Sequence, residues 1–255
     1  MDLYNGDCIE VMKTLKDKSI DMCLTDPPYG TTAFKWDTVI DFELMWAELK
    51  RIVKDNGAIC LFGSEPFSSK LRCSNIKNFK YDWVWDKVTA RGHLVAKKRP
   101  MQQTEIISVF QNTKAHNYYP QMIKRPKDKI QIKKTRECAR TDIMGGKKSI
   151  LKEKVYDHWF PKNIIKISNA NSSNTSVHPT QKPIPLLEYL IKTYTLEGET
   201  VLDFTMGSGS TGVAAKNLNR KFIGIERDGK YFEIAEGRIE VLKDLIKKAK
   251  DIRNG

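Results

Sequence analysis

The sequence predicts an α/β fold with a mainly parallel sheet, because two β-α-β patterns occur in a chain of suitable length. Apolar runs at residues 20–24 and 58–62 flank residues 42–53, where six large apolar side chains share one helical face. Residues 201–226 repeat the alternation of strand, helix and strand, with a glycine turn after the first strand. The 255 residues suffice for one such domain with an insertion.

The other elements follow from the same periodicities. Residues 8–15 have apolar positions at helical spacing, which predicts a helix. Residues 81–85 and 106–110 are predicted to be strands, and the loop between them is basic and includes Lys87 and Arg91.

Two further helices are predicted near the end of the chain. Two prolines precede the amphipathic run 186–194, which predicts a helix there, and residues 231–249 predict a charged amphipathic helix. The sequence contains no internal repeat.

Charge indicates a polyanionic partner. The chain has 44 Lys and Arg against 31 Asp and Glu, a formal charge of +13, which favours nucleic acid. Residues 121–162 hold thirteen of the cations and five acids with few large apolar residues, so they predict an excursion from the sheet. A solvated charge run without a partner is the alternative. The polar residues 168–176 are predicted to be a linker.

Cysteine usage and hydropathy predict a soluble cytoplasmic protein. The five cysteines include no C-x-x-C pair, so neither a disulfide framework nor a metal site is expected. The first residues have no basic head followed by an apolar stretch, and no window approaches the roughly 20 apolar residues of a membrane span.

The tetrapeptide Asp26-Pro27-Pro28-Tyr29 at the end of the first apolar run is suited to holding a flat base by its amine. The Asp26 carboxylate and the Pro27 carbonyl can accept both amine hydrogens, which favours a nitrogen whose lone pair can attack. Tyr29 can stack on the base. Taken alone, the tetrapeptide is also typical of a turn that ends a strand.

Residues 203–212 are suited to binding a nucleoside cofactor. Glycines let the backbone approach a ligand, and the following helix N-terminus supplies free amides. Glu226, 23 positions after Asp203 at the tip of the next strand, suits a ribose diol. Counted from Gly207 the segment also fits G-x-G-x-x-G, so an NAD enzyme is an alternative.

In this order, the two motifs resemble the beta class of DNA amino-methyltransferases, in which the catalytic tetrapeptide precedes the cofactor loop. The resemblance implies a Rossmann-like methyltransferase fold with a mixed, mainly parallel seven-stranded sheet and an inserted target-recognition region. The implied parts are a catalytic part at 1–114, a target-recognition insertion at 115–175 and a cofactor-binding part at 176–255. The sequence departs from the family at Phe204, where proline is usual, and at Thr205, where phenylalanine is usual.

The resemblance also implies roles for individual residues. The implied catalytic residues are Asp26, Pro27, Pro28 and Tyr29. The implied residues at the cofactor S-adenosylmethionine are Asp7, Cys8, Thr180, Lys182, Asp203, Phe204, Thr205, Gly207, Ser208, Gly209 and Glu226. The implied DNA contacts are Lys97, Lys98, Arg99, Lys124, Arg125, Lys133, Lys134 and Arg136.

Some of these roles are more specific. Glu226 would take the ribose hydroxyls, and Asp7 would face the adenine amine of the cofactor, with a helix N-cap as the alternative for Asp7. Residues 180–182 would lie near the methionine end. Phe34 and Trp36 would cover a flipped base or fill its gap, with ordinary core packing as the alternative.

The implied activity is methyl transfer from S-adenosylmethionine to the N6 amine of adenine in duplex DNA, by base flipping and in-line displacement. N4-cytosine methylation by the same machinery, methylation of RNA or a protein amide, and a catalytically silent nucleic-acid-binding protein are the alternatives. The resemblance implies double-stranded DNA as partner, with a homodimer and a cognate restriction endonuclease as further candidate partners. It also implies a cytoplasmic protein that is bacterial or phage-encoded.

Overall fold

The computed structural model describes residues 1–31, 37–113, 117–140, 147–169 and 181–240, with the backbone alone described at 135–140 and 147–152. The chain divides into two compact units. The first comprises Met1–Tyr119 together with the chain from Asn163 onward, and the second is Pro120–Lys162. The second unit lies within the predicted insertion at 115–175.

Strands and helices alternate over residues 2–91 and again over residues 164–240, whereas the elements between these two ranges are strands and short turns. The strands are β1 (Asp2–Asn5), β2 (Ile20–Thr25), β3 (Val53–Gly63), β4 (Phe79–Arg91), β5 (Gln102–Phe110), β6 (Ile123–Lys124), β7 (Gln131–Arg140), β8 (Lys147–Tyr156), β9 (His158–Trp159), β10 (Ile164–Lys166), β11 (Thr200–Asp203) and β12 (Lys221–Glu226). The helices are α1 (Cys8–Thr14), α2 (Phe42–Ile52), α3 (Phe67–Ser74), α4 (Ile184–Tyr194), α5 (Ser210–Asn217) and α6 (229–240). The rest of the predicted last helix, 241–249, lies outside the described residues.

Within the described residues, the first unit has one eight-stranded sheet in the order β1-β12-β11-β2-β3-β5-β4-β10. All its pairs are parallel except β3 with β5 and β5 with β4. The predicted mixed, mainly parallel α/β fold is therefore confirmed, with one strand more than the predicted seven. The edge strands β1 and β10 have only four and three residues, too few for a period of two to show in the sequence.

Apolar layers cover both faces of the sheet. Met45 and Leu49 of α2 pack with Cys23 on one face, whereas Met22 of β2 packs with Val213 of α5 on the other. Side chains alternate between the faces along a strand, so β2 is buried along its whole length.

The strand order places the two sequence motifs side by side. The parallel neighbours β2 and β11 continue to helices on opposite faces of the sheet, α2 after β2 and α5 after β11. Such a reversal leaves a crevice at the carboxyl ends of the two strands, which is where open α/β sheets bind ligands. Asp26 directly follows β2, and Asp203 ends β11.

Two local predictions differ from the structure. Strand β4 runs on to Arg91, so Lys87 and Arg91 lie in a strand and not in the predicted loop. The patternless residues 121–162 contain two antiparallel pairs, β6 with β9 and β7 with β8. A two-stranded ladder satisfies backbone hydrogen bonds without needing a buried face, so hydropathy alone does not reveal it.

No helix in the described ranges is long and apolar enough to cross a membrane. Among the same residues, no group of three or more His, Cys, Asp and Glu is placed to hold a metal ion.

Candidate active site

A cavity of about 690 Å³ opens at the carboxyl ends of the central strands. It brings together nearly all of the residues that the sequence predicts for catalysis and cofactor binding. The predicted residues that line it are Asp7, Cys8, Asp26, Pro27, Pro28, Tyr29, Lys182, Asp203, Phe204, Thr205, Gly207, Ser208 and Glu226. Gly209 lies at the N-cap of α5 and does not line the cavity. Thr180, Phe34 and Trp36 lie outside the described residues.

Three hydrogen bonds join the catalytic segment to the cofactor segment. The Thr25 hydroxyl donates to Asp203 Oδ1 over 3.1 Å and accepts from the Phe204 amide over 3.1 Å. The Thr205 hydroxyl donates to the main-chain oxygen of Asp26 over 3.1 Å. Thr205, one of the two departures from the family pattern, therefore fixes the backbone of the catalytic tetrapeptide.

The Asp203 carboxyl group is nearly inaccessible to water. The residue is 4% exposed, and burial raises the pKa of Asp203 to about 7, although hydrogen bonds from Thr211, the Thr205 amide and Thr25 favour the charged form. Its protonation therefore changes near neutral pH.

The glycine turn is held against the acid at the tip of β12. The Gly207 amide donates to Glu226 Oε2 over 2.9 Å, and the Asp228 amide donates to Oε1 over 2.8 Å. Burial raises the pKa of Glu226, whereas these amides favour its charged form. Gly207 and Gly209 have φ of +52° and +78°, which glycine adopts without strain. The two amides therefore hold the Glu226 carboxylate in one position at the cavity, which suits binding of a ribose diol.

Asp7 has the structural role considered for it as the alternative. It caps the N-terminus of α1, and its Oδ1 accepts from the amides of Ile9 over 2.9 Å and Glu10 over 3.3 Å. It also lines the cavity, so its predicted contact with adenine stays a prediction. Beside it, burial raises the pKa of the Cys8 thiol to about 11, which keeps that group neutral.

The catalytic tetrapeptide is ordered by its own tyrosine and by a distant lysine. The Tyr29 hydroxyl donates to Asp26 Oδ1 over 2.5 Å, and the Tyr29 ring stacks on Phe67 with centroids 4.9 Å apart. Lys182 Nζ lies 2.5 Å from Asp26 Oδ2. Burial raises the pKa of Asp26, while the charge of Lys182 opposes that rise. Lys182, predicted near the methionine end of the cofactor, thus contacts the carboxylate of Asp26, for which a catalytic role is predicted.

Sequence reasoning missed Glu105 and the role of Lys87. Glu105 Oε1 accepts from Tyr29 over 3.0 Å and lies 3.0 Å from Lys182, and its Oε2 lies 2.6 Å from Lys87. Burial would raise the pKa of Glu105, but the two lysines outweigh it and lower the pKa to about 2. The pKa of Lys182 is about 12, since the two carboxylates outweigh its burial. An acid directly before the apolar run 106–110 was the available signal.

Two further polar residues line the cavity, and one of them was missed. Gln181 lies in the stretch 180–182 that was predicted near the methionine end of the cofactor, whereas Asn169, whose amide lies 3.4 Å from the Lys87 carbonyl, was not predicted. The Asn169 Oδ1 atom is buried and has no hydrogen-bond partner among the described residues. A buried polar atom of this kind is stabilised by a donor from a ligand or a water. No local pattern marks Asn169, because it lies in the polar stretch 168–176 that was predicted to be a linker.

These features fit S-adenosylmethionine. The cavity volume falls in the range usual for small-ligand sites. The Glu226 carboxylate suits ribose hydroxyls, and the left-handed turn at Gly207 admits a ligand close to the backbone because an added Cβ would meet no atom within 4 Å.

The predicted DNA contacts belong to both units. Lys97, Lys98 and Arg99 are exposed in the segment between β4 and β5 of the first unit. The other five lie in the second unit, and they are Lys124, Arg125, Lys133, Lys134 and Arg136. Of Arg136, only the backbone in β7 is described.

Comparisons with known proteins identify the family of the chain. A family model described as DNA methylase matches residues 20–237. The Type II methyltransferase M2.DpnII of Streptococcus pneumoniae is 30% identical over 94% of this chain and 90% of the relative, and M.HinfI of Haemophilus influenzae is 28% identical over 94% and 68%.

Solved structures give the same result. The M1.HpyAVI complex with S-adenosylmethionine superposes with a TM-score of 0.62 at 29% identity, over 93% of this chain and 98% of that one. The cytosine-N4-specific PvuII DNA methyltransferase superposes with a TM-score of 0.65 at 18% identity, over 92% and 85%, which shows a shared fold.

Proposed function

The chain belongs to the DNA methylase family and uses S-adenosylmethionine, and we propose that it methylates the N6 amine of adenine at a specific sequence in duplex DNA. One observation supports this proposal above all others. The segment Asp26-Pro27-Pro28-Tyr29 lines the same cavity as the glycine turn and is held there by the hydrogen bond from Thr205 to the Asp26 carbonyl.

The site has the groups that activation of an exocyclic amine requires. Such an amine is a poor nucleophile, because its lone pair is delocalised into the ring. Acceptors at Asp26 and at the Pro27 carbonyl would hold both hydrogens and favour a lone pair directed at the methyl group. Bound S-adenosylmethionine supplies an electrophilic sulfonium methyl group. The methylated nitrogen then loses a proton, for which the Asp26 carboxylate is the adjacent acceptor.

The acid at position 26 supports adenine as the target base. Within the family that this chain resembles, Asp-Pro-Pro-Tyr favours adenine N6, and Ser-Pro-Pro-Tyr favours cytosine N4. The Tyr29 ring lines the cavity and rests on Phe67, so it is fixed to stack on a base that has left the duplex. Extrusion of the base costs a few kcal/mol of stacking and pairing.

The β7–β8 hairpin supports contact with DNA phosphates. Lys133 and Lys154 are directly opposite each other in the antiparallel register, and both ammonium groups lie over the Tyr156 ring, at 5.8 and 5.4 Å. Like charges in opposite positions repel each other, and a phosphate between them removes the repulsion. We therefore place Lys133 and Lys154 at the DNA backbone.

Two other predicted contacts have internal partners. Lys134 lies opposite Glu153, with Nζ and Oε1 3.7 Å apart. The Arg125 guanidinium donates to the carbonyls of His158 and Lys129 and stacks over Trp159 at 5.6 Å. The contacts of Arg125 order the chain around it, and Glu153 offsets part of the Lys134 charge, so a smaller share of DNA binding is assigned to these two residues.

The cellular setting is proposed from the relatives. Their names describe Type II methyltransferases of bacteria, so we assign this chain to a bacterial restriction-modification system, with a cytoplasmic location and a cognate endonuclease as partner. A homodimer stays a prediction from the resemblance.

Labelled S-adenosylmethionine and mixed-sequence duplex DNA, followed by nucleoside digestion and mass analysis, test the proposal. N6-methyladenine is expected, and Asp26→Ala should abolish it while S-adenosylmethionine still binds. Detection of N4-methylcytosine would change the proposed target base from adenine to cytosine and leave the proposed mechanism unchanged. Cofactor binding without incorporation into DNA would contradict the proposal and favour RNA, a protein amide or a silent binding protein.

A further inference from the structure

Four charged side chains from four segments of the chain meet beside the catalytic tetrapeptide. Asp26 follows β2, Lys87 lies in β4, Glu105 lies in β5, and Lys182 precedes α4. Lys182 lies between the two acids, with its Nζ 2.5 Å from Asp26 Oδ2 and 3.0 Å from Glu105 Oε1. Lys87 Nζ forms an ion pair with the other Glu105 oxygen, Oε2, over 2.6 Å. The formal charges cancel within the cluster.

Both oxygens of Asp26 already have donors. Tyr29 donates to Oδ1 and Lys182 donates to Oδ2. Each of these donors also lies 3.0 Å from one further acceptor, and for both it is Glu105 Oε1. Glu105 Oε1 is therefore the second acceptor for both Tyr29 and Lys182, the two groups that donate to Asp26.

We propose that Glu105 is a positioning residue. It accepts the hydrogen bonds of Tyr29 and Lys182 when the Asp26 carboxylate binds the amine of the target base instead. This inference rests on the proposed function. An amine that donates to Asp26 has to share one of these two oxygens with a donor that is already present. The ammonium group of Lys182 would also lie beside a nitrogen that becomes positive during methyl transfer, and like charges at this range in a buried site repel each other strongly.

Lys182 needs a second acceptor because it is buried. Its side chain is 11% exposed, and that of Glu105 is 8% exposed. A buried ammonium group that loses its only carboxylate is strongly destabilised. With Glu105 in place, Lys182 leaves Asp26 and still keeps a carboxylate partner. Lys182 and Lys87 together lower the pKa of Glu105, which keeps its carboxylate ionised for this purpose.

The same geometry predicts how the rate depends on pH. The groups that face Asp26 are Tyr29, Lys182, Glu105 and, through the shared hydrogen bonds around the tetrapeptide, Asp203. In Glu105→Gln, the charge of Lys182 acts on Asp26 alone and the repulsion from Glu105 is gone. Both changes lower the pKa of Asp26.

The first test compares Glu105→Gln with the wild-type full-length protein in single-turnover methyl transfer from pH 5 to pH 9. The plateau rate is expected to fall about 100-fold, because Lys182 stays on Asp26. The acid limb of the profile is expected to move to lower pH. The Kd for S-adenosylmethionine, measured by calorimetry, is expected to stay within about twofold of wild type, as is usual when a substitution removes no contact with the ligand.

Asp21→Asn is the matched control. Asp21 is also a nearly buried acid with a lysine partner, Lys54 at 2.6 Å, but it lies at the start of β2, away from the cavity. This variant is expected to keep the wild-type rate per folded molecule and the wild-type acid limb.

A second variant covers failure of Glu105→Gln to fold. Glu105→Asp keeps the negative charge, but its shorter side chain moves the carboxylate oxygen away from Tyr29 and Lys182. Its plateau rate is therefore expected to fall, while the acid limb of the pH profile stays unchanged. A wild-type plateau rate in either variant overturns the inference, as does a Glu105→Gln rate that falls without movement of the acid limb. A wild-type protein that methylates no DNA would instead refute the proposed function, and that result is read before any variant is compared.

Discussion

Replacing Asp203 by Asn is expected to change how stability depends on pH. Asp203 is 4% exposed, and its pKa in the folded protein is about 7, against about 3.9 in an unfolded chain. The folded state therefore holds a proton that the unfolded state has released. Its stability falls as pH rises from about 4 and stops falling above about 7.

The size of the effect follows from the two pKa values. The two values, about 7 and about 3.9, correspond to about 4 kcal/mol over the whole window, and about 3 kcal/mol of this falls between pH 5 and pH 8. Asparagine has no charge to lose, so Asp203→Asn lacks this part of the pH dependence. The free energy of unfolding of wild type minus that of the variant should therefore decrease by about 3 kcal/mol from pH 5 to pH 8.

Urea denaturation at pH 5, 6, 7 and 8 measures this difference. S-adenosylmethionine is left out, because a bound ligand stabilises the folded state by mass action. Thr25→Val is the companion variant: it removes a donor that favours the charged form of Asp203, so the loss of stability should extend to higher pH than in wild type. A constant offset between wild type and Asp203→Asn at all four pH values would refute the reasoning.

Gly209→Ala is expected to lower stability by about 1–3 kcal/mol in thermal denaturation, because φ is +78° and the added Cβ would lie 2.9 Å from a side chain of α6; an unchanged melting temperature would contradict this. Tyr194→Phe leaves the Trp83 indole N–H without its acceptor at 2.7 Å and should cost about 1–3 kcal/mol, measured by urea denaturation against wild type. Lys133→Ala should reduce the salt dependence of DNA binding by about one phosphate contact, whereas Lys134→Ala, whose lysine is paired with Glu153, should change it less; equal slopes for the two variants would contradict the assignment.

Local patterns in the sequence predicted most of the first unit. The apolar run of β2 and the helical spacing of α2 and α4 were visible because each element packs against an apolar layer on one or both faces of the sheet. The family and the cofactor followed from two motifs and their order, and both are confirmed. The extent of β4 was missed, since Lys87 and Arg91 at its end read as a basic loop.

The candidate site was only partly visible in the sequence. Asp26 and Asp203 carry recognisable motifs, and the structure places both at one cavity. Glu105 has no motif, and its importance arises from contacts with residues 76 and 77 positions away, Tyr29 and Lys182. Thr205 was recognised only as a departure from the family pattern, whereas the structure shows that its hydroxyl group donates to the Asp26 backbone.

The sequence by itself determined the alternation of strands and helices, the two motifs and the concentration of positive charge at residues 121–162, because spacing and composition are local properties of a chain. Only the tertiary structure decided that β2 and β11 are neighbours, that Lys182 lies between Asp26 and Glu105, and that the pKa of Asp203 is near 7. The strand order and the packing of both faces bring these distant segments together, and they set the burial and the neighbouring charges on which each carboxyl group depends.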